Sequence, residues 1–101
     1  MASEDFVGRR VVVTGAAAGI GHAIARRFSQ AGADVLLVDI AADGLDRAES
    51  AMEGRAASIA IDLADPAAPA QVIASCEEQL GPVDVLVNNA GIYPFAMVPD
   101  L

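Results

Sequence analysis

The stretch that organises the chain is Val11-Val12-Val13-Thr14-Gly15-Ala16-Ala17-Ala18-Gly19-Ile20-Gly21. Three β-branched apolar residues run into a threonine, then into glycines and alanines whose one larger neighbour is Ile20, and then into a helical pattern. This reads as a strand, a tight turn and a helix N-terminus. A turn of small residues lets a charged group approach backbone N–H donors at the positive end of a helix, where bulky side chains would obstruct it. The stretch therefore predicts a pyrophosphate seat.

Working outward, Arg10 to Thr14 is nearly continuous in apolar residues, as a strand covered by helices on both faces should be. Phe6 and Val7 precede it and are expected to cover one end of a sheet. Ile20, Ala23, Ile24, Phe28 and Ala31 recur at helical spacing, which predicts a helix from about Gly19 to Ala31 with Arg26, Arg27 and Gln30 outward and Gly32 as its stop. Asp34 to Ile40 is a second strand. Leu45, Ala48 and Met52 mark a weaker helix between Gly44 and Gly54, and Arg55 to Ile61 is a third strand. Pro66 and Pro69 fit only the first turn of a helix whose apolar stripe is Val72, Ile73, Cys76 and Leu80, ended by Gly81-Pro82. Val83 to Val87 is a fourth strand and leads into Asn88-Asn89-Ala90-Gly91. The order β-α-β-α-β-α-β, with no hairpin signal, predicts an α/β chain with a parallel sheet in the order 3-2-1-4 and the glycine turn at its switch point.

At 101 residues the chain is expected to form one domain around one core. Apolar residues make up 54% of it, but 22 are alanine, and no run approaches the ~18 consecutive apolar residues of a membrane span. The net charge of -8, with no lysine, excludes a phosphate-tracking nucleic-acid surface. One cysteine cannot make an internal disulfide, and Met1-Ala2-Ser3-Glu4-Asp5 has no secretory character, so a soluble, cytoplasmic protein is expected.

The glycines are spaced G-x-x-x-G-x-G rather than G-x-G-x-x-G, and alone they fit equally a βα turn that needs positive φ. Their position after the first strand, with Asp39 ending the second, favours dinucleotide binding. A nucleoside-triphosphate loop is excluded because its Lys-Ser/Thr is missing. Asp39 can accept both hydroxyls of an adenosine ribose and would repel a 2′-phosphate; the alternative is a solvated acid at a strand end. No arginine lies in the turn or directly after Asp39, so NAD is expected over NADP. His22, at a helix start that disfavours its charged form, reads as a neutral surface or packing residue, and Cys76 as core. No metal-ligand cluster is visible.

Thr14-Gly15-Ala16-Ala17-Ala18-Gly19-Ile20-Gly21, Asp39, Asp62-Leu63 and Asn88-Asn89-Ala90-Gly91, in that order, resemble the N-terminal half of a short-chain dehydrogenase/reductase of the ordinary cytosolic type. The resemblance runs from about Phe6 to the chain end and implies a partial, three-layer Rossmann-type sheet. It implies that Gly15, Ala18, Gly19 and Ile20 line the pyrophosphate, that Asp39 holds the adenosine ribose, and that Asp62 with Leu63 borders the adenine. Asn89, Ala90 and Gly91 would border the ribose on the nicotinamide side, with Asn88 stabilising the central sheet. From the residues alone, a structural role for the asparagine pair is as open as cofactor contact, since each can donate and accept.

Such enzymes carry in a second half an asparagine, a serine and a Tyr-x-x-x-Lys pair. Here Tyr93 is followed four residues later by Met97, and the chain has no lysine, so Tyr93 does not match that tyrosine. The resemblance therefore implies a chain truncated before the catalytic half, with no catalytic residue of its own. One expectation is the NAD-binding portion of an oxidoreductase acting on an alcohol or carbonyl; the other is a self-standing nucleotide-binding or interaction module without catalysis. In either case the outer edge of the fourth strand is expected to lack a neighbour and to favour self-association.

Overall fold

The computed structural model describes residues 5–89. Within them β1 (Arg10–Thr14) is followed by α1 (Gly19–Gln30), β2 (Asp34–Asp39), α2 (Ala42–Ser50), β3 (Ala56–Ala60), α3 (Ala68–Gln79) and β4 (Val85–Val87). The four strands form one sheet in the order β3-β2-β1-β4, every neighbouring pair parallel. The predicted α/β architecture and strand order are both present.

Successive strand residues face opposite sides of the sheet. Val12 pairs with Leu36 on one side and Leu86 on the other, and these join Val72, Cys76 and Leu80 beneath α3. Val11, Val13, Val35 and Leu37 point the other way and pack with Ala25 of α1 and with Leu45 and Ala48 of α2. Val11–Val13 and Val35–Val38 are consequently fully buried. Among the described residues no helix is long and apolar enough to cross a membrane.

At the lower end of the sheet, Arg10 ties β4 in place. Its backbone N–H donates to Asp84 Oδ2 at 2.8 Å, its Nε donates to the Pro82 carbonyl at 3.1 Å, and the Asp84 N–H returns to the Arg10 carbonyl at 2.9 Å. Pairing therefore starts next to Asp84, and β4 is two residues shorter than the expected Val83 to Val87. The expected bounds of the third strand fare better. Val35 N–H donates to Arg55 O and Ile61 N–H to Asp39 O, so ladder bonds reach both residues that flank β3.

Three other expectations are corrected. Pro66 precedes α3 in a turn closed by the Ala68 N–H on Asp65 O, leaving Pro69 as the proline of the first helical turn. Phe6 does cover the sheet end, stacking edge-on against Phe28 with centroids 5.0 Å apart, but Val7 is 63% exposed. The third concerns the face of α1. Of the expected stripe, Ala31 is buried and Ile24 and Phe28 pack partly buried against the core, but Ile20 is 74% exposed and Ala23 is exposed as well, and the fully buried residues within the helix are Gly21, Ala25 and Ser29. Small residues in an i, i+4 row let the helix backbone lie close to the sheet, so smallness decided the buried face. Ser29 Oγ also accepts the Glu53 and Gly54 N–H groups at 3.0 Å each. The helix ends as expected at Gly32, whose φ of 98° supports a pair of closing bonds, Gly32 N–H to Ser29 O and Ala33 N–H to Phe28 O.

The corrected face gives a direct test. Ala25→Leu overpacks the helix–sheet contact and should cost about 1–3 kcal/mol in urea unfolding. Ala23→Leu, on the exposed side, should stay within about 0.5 kcal/mol of the parent.

Candidate functional site

Because all four strands run the same way, Thr14, Asp39, Ala60 and Val87 end at one rim. The chain departs from β1 to one side for β2 and β3 and returns to the other side for β4, so the crevice above β1 is the switch point where such sheets bind ligands.

The turn from β1 to α1 forms that crevice. Gly15 and Gly19 have φ of 65° and 62°, which only glycine adopts without strain. Ala16 is buried, and its N–H donates to Val38 O at 3.1 Å. Ala18, Gly19 and Ile20 are exposed. Ala18 is the N-cap of α1 in an extended conformation, and no side chain caps the helix. The first-turn N–H groups, which a helix leaves without intrahelical partners, therefore have no capping side chain there. A Cβ built at Gly19 would meet nothing within 4 Å, so the space before the helix is open.

Gly21 closes the turn from behind. A Cβ at this position would fall on the Gly15 carbonyl and come within 2.7 Å of Asn89 Nδ2. Asn89 Nδ2 donates to that same carbonyl at 3.4 Å, while Thr14 Oγ1 lies 3.1 Å from Asn88 Oδ1 and 3.4 Å from Val87 O. The two asparagines thus lock the ends of β1 and β4 together.

Asp39 is half-buried and bound by two segments. Its Oδ2 accepts the Ala17 N–H and its Oδ1 the Ala41 N–H, each at 3.1 Å. Ile40 beside it is 68% exposed, giving the rim a second exposed isoleucine besides Ile20. Asp62 is exposed and its Oδ1 accepts the Ala64 N–H at 2.9 Å. Leu63 is directed elsewhere: at 7% exposure its side chain belongs to the core under α3. Gly15, Ala18, Gly19, Ile20, Asp39, Asp62 and Asn89 are therefore rim residues. Ala90, Gly91 and Tyr93 lie outside the described residues.

Sequence reasoning passed over Ala17 and Ala41, whose backbone donors hold Asp39, and Gly44, which packs on Ala17. Backbone N–H groups leave no mark in residue type, and the one available signal was Gly44, read as the near limit of the second helix, which the structure places inside α2. His22 is half-buried near the helix start, with Nε2 buried and without a hydrogen-bond partner. Among the described residues no group of three or more His, Cys, Asp or Glu could hold a metal.

Cys76 lies in α3, inside the core, where its thiol donates to Gly81 O at 3.3 Å. Burial pushes the thiol above its ordinary value, outweighing the opposing charge of Arg10. A residue in this state is not a nucleophile at neutral pH.

Residues 9–101 match the sequence profile of the short chain dehydrogenase family. The chain is 45% identical over 89 residues to the meso-2,3-butanediol dehydrogenase of Serratia marcescens, covering 87% of this chain and 36% of that protein. Among solved structures, a short-chain dehydrogenase/reductase described as a glucose/ribitol dehydrogenase from Brucella melitensis superposes with a TM-score of 0.82 at 38% identity, over 99% of this chain and 42% of that one. L-Sorbose reductase from Gluconobacter frateurii, solved with NADPH and L-sorbose, gives 0.80 at 35% identity, over 89% and 36%. The chain spans about a third of the length of the curated relatives it matches.

The thiol predicts a pH response. With its folded pKa raised, Cys76 stays protonated above about pH 8.5 while the unfolded chain loses that proton, so stability falls as pH rises through this range. Chemical unfolding at pH 8 and pH 10 should show a smaller decline for Cys76→Ala than for the parent.

Proposed function

The chain belongs to the short-chain dehydrogenase family, and from that premise we propose that residues 1–101 are its dinucleotide-binding, Rossmann-type portion, seating NAD. In the whole protein this portion serves an oxidoreductase acting on an alcohol or carbonyl. Gly15, Ala18, Gly19 and Ile20 would hold the pyrophosphate against the uncapped first turn of α1. Asp62 and the Leu63 backbone would border the adenine, and Asn89, Ala90 and Gly91 the ribose beside the nicotinamide.

The observation that carries the cofactor choice is the seating of Asp39. A carboxylate offers about four acceptor positions. Two are taken by the Ala17 and Ala41 N–H groups, which leaves two for the paired hydroxyls of an adenosine ribose. The same negative charge opposes a 2′-phosphate, and neither the turn nor the residue after Asp39 supplies an arginine to offset it. The NADPH-bound Gluconobacter frateurii enzyme shows that a relative of this fold takes the other cofactor, so the acid at this position is what speaks for NAD.

When bound, the nicotinamide would supply the hydride acceptor or donor. The chain's own contribution is to fix and orient that group. With no lysine in the chain, no Tyr-x-x-x-Lys pair is available to it for proton transfer, and residues 1–101 alone are proposed to bind without turnover.

The outer edge of β4 supports a further part of this reading. Val85, Leu86 and Val87 are only partly buried, whereas every β1 residue from Val11 to Thr14 is fully buried. Among the described residues no strand lies beyond β4. An unpaired edge with apolar flanks is a template for another strand, and a second copy of the chain is proposed to occupy it.

Two measurements test these readings. Calorimetric titration of the chain should give saturable binding that prefers NAD to NADP, and Asp39→Ala should shrink the preference about tenfold or more, as expected for bonds to a charged acceptor worth about 1.5–3 kcal/mol. An unchanged ratio removes Asp39 from the ribose site. In sedimentation, the chain should show concentration-dependent dimers or larger species; a single monomer at high concentration rules out pairing through β4.

A further inference from the structure

We infer that Gly44, in the first turn of α2, is a positioning residue that sets cofactor selectivity by holding the α2 lead-in against the glycine turn. The inference rests on the reading of Asp39 as the ribose acceptor and extends it to a residue that touches no ligand.

Gly44 is buried, and a Cβ built there would lie 3.0 Å from the Ala17 Cβ, 3.6 Å from the Ala17 carbonyl oxygen and 3.8 Å from the Ala41 Cβ. Carbon atoms prefer separations of about 3.5–4.0 Å. A side chain at 44 therefore presses on the Ala17 methyl and pushes the start of α2 away from the turn at Ala17 by a few tenths of an ångström, while its contact with Ala41 is ordinary. The turn and the α2 lead-in are the segments whose N–H groups grip opposite oxygens of Asp39. The gap closed by Gly44 is the gap bridged by the carboxylate.

Local propensity does not account for this glycine. Gly44 lies inside a helix, where alanine is the better residue, and Leu45 N–H already closes the first turn on Ala41 O. Its φ is not positive, so no special backbone conformation demands it. What remains is close approach. With a larger residue at 44 the turn is pressed away from the α2 lead-in, the Ala17 N–H bond to Asp39 Oδ2 lengthens while the local Ala41 N–H bond to Oδ1 is kept, and the two acceptor positions left for the ribose lose their alignment. Binding of NAD should weaken more than that of NADP, because the paired hydroxyls of NAD depend on this alignment.

The test is a double-mutant cycle on the 101-residue chain, read by titration with NAD and NADP and by exchange of the residue 17 amide. Gly44→Val should lower NAD affinity about tenfold and narrow the NAD/NADP ratio, and the same substitution in an Ala17→Gly background should cost about threefold or less, since the clashing methyl is gone. Gly44→Ala, which improves helix propensity, is the milder variant should Gly44→Val fail to fold. It should still speed exchange of the residue 17 amide by weakening its bond to Asp39. Equal losses in both backgrounds, an unchanged ratio, or an unchanged residue 17 amide in Gly44→Ala would overturn the inference. If the parent chain binds neither dinucleotide, the proposed function fails, and the amide exchange still decides whether Gly44 positions Asp39.

Discussion

The backbone of α1 meets the end of β1 with no side chain between them, and the rim depends on that contact. Gly21 lies so close to the Gly15 carbonyl that a methyl group could not be accommodated. The same carbonyl receives Asn89 Nδ2, which brings the end of β4 to the back of the turn. One missing side chain thus fixes three things together: the start of α1, the path of the glycine turn, and the position of β4 at the switch point. The conformational freedom that glycine contributes elsewhere in the turn, at Gly15 and Gly19, would serve little purpose without this approach.

Close approach extends to the whole domain. Large side chains come mostly from the strands, with Val11, Val12, Val13, Val35, Leu36, Leu37 and Val38 all fully buried, while the helices meet them with Ala25, Ala48 and Ala68 and a few larger residues such as Leu45 and Val72. Small residues on the helix faces bring the helix axes near the sheet. Short distances between layers in turn keep the βα connections at the rim short and tight. The alanine content that makes the hydropathy look high therefore narrows the gap between layers rather than enlarging the core.

Legibility in the sequence followed this division of labour. Arg10–Thr14 could be bounded at both ends because buried parallel strands are continuous apolar runs, and alternation of strand and helix led to the observed 3-2-1-4 order. The face of α1 was legible only in part: Ile24, Phe28 and Ala31 do face the core, but hydrophobic spacing also gives weight to Ile20, whereas the helix buries Gly21, Ala25 and Ser29 because their smallness allows contact. Leu63 was adjacent in sequence to a rim acid, yet in the turn after β3 its side chain is buried in the core beneath α3. The grip of Ala17 on Asp39 was invisible for another reason. It depends on register, Thr14 opposite Val38, and register is not written in any single residue.

Register also explains why this acid is held more firmly than a carboxylate at a free strand end. A half-buried carboxylate loses hydration and must recover it from donors in the protein. Here both donors are backbone N–H groups, one local at Ala41 and one, at Ala17, that reaches Asp39 only when β1 and β2 have paired. Bonds to an ionised acceptor are stronger than neutral ones, so the folded rim holds the carboxylate in one orientation. The turn, the strand end and the helix lead-in therefore act as one unit at this rim, with Asp39 as the group they present.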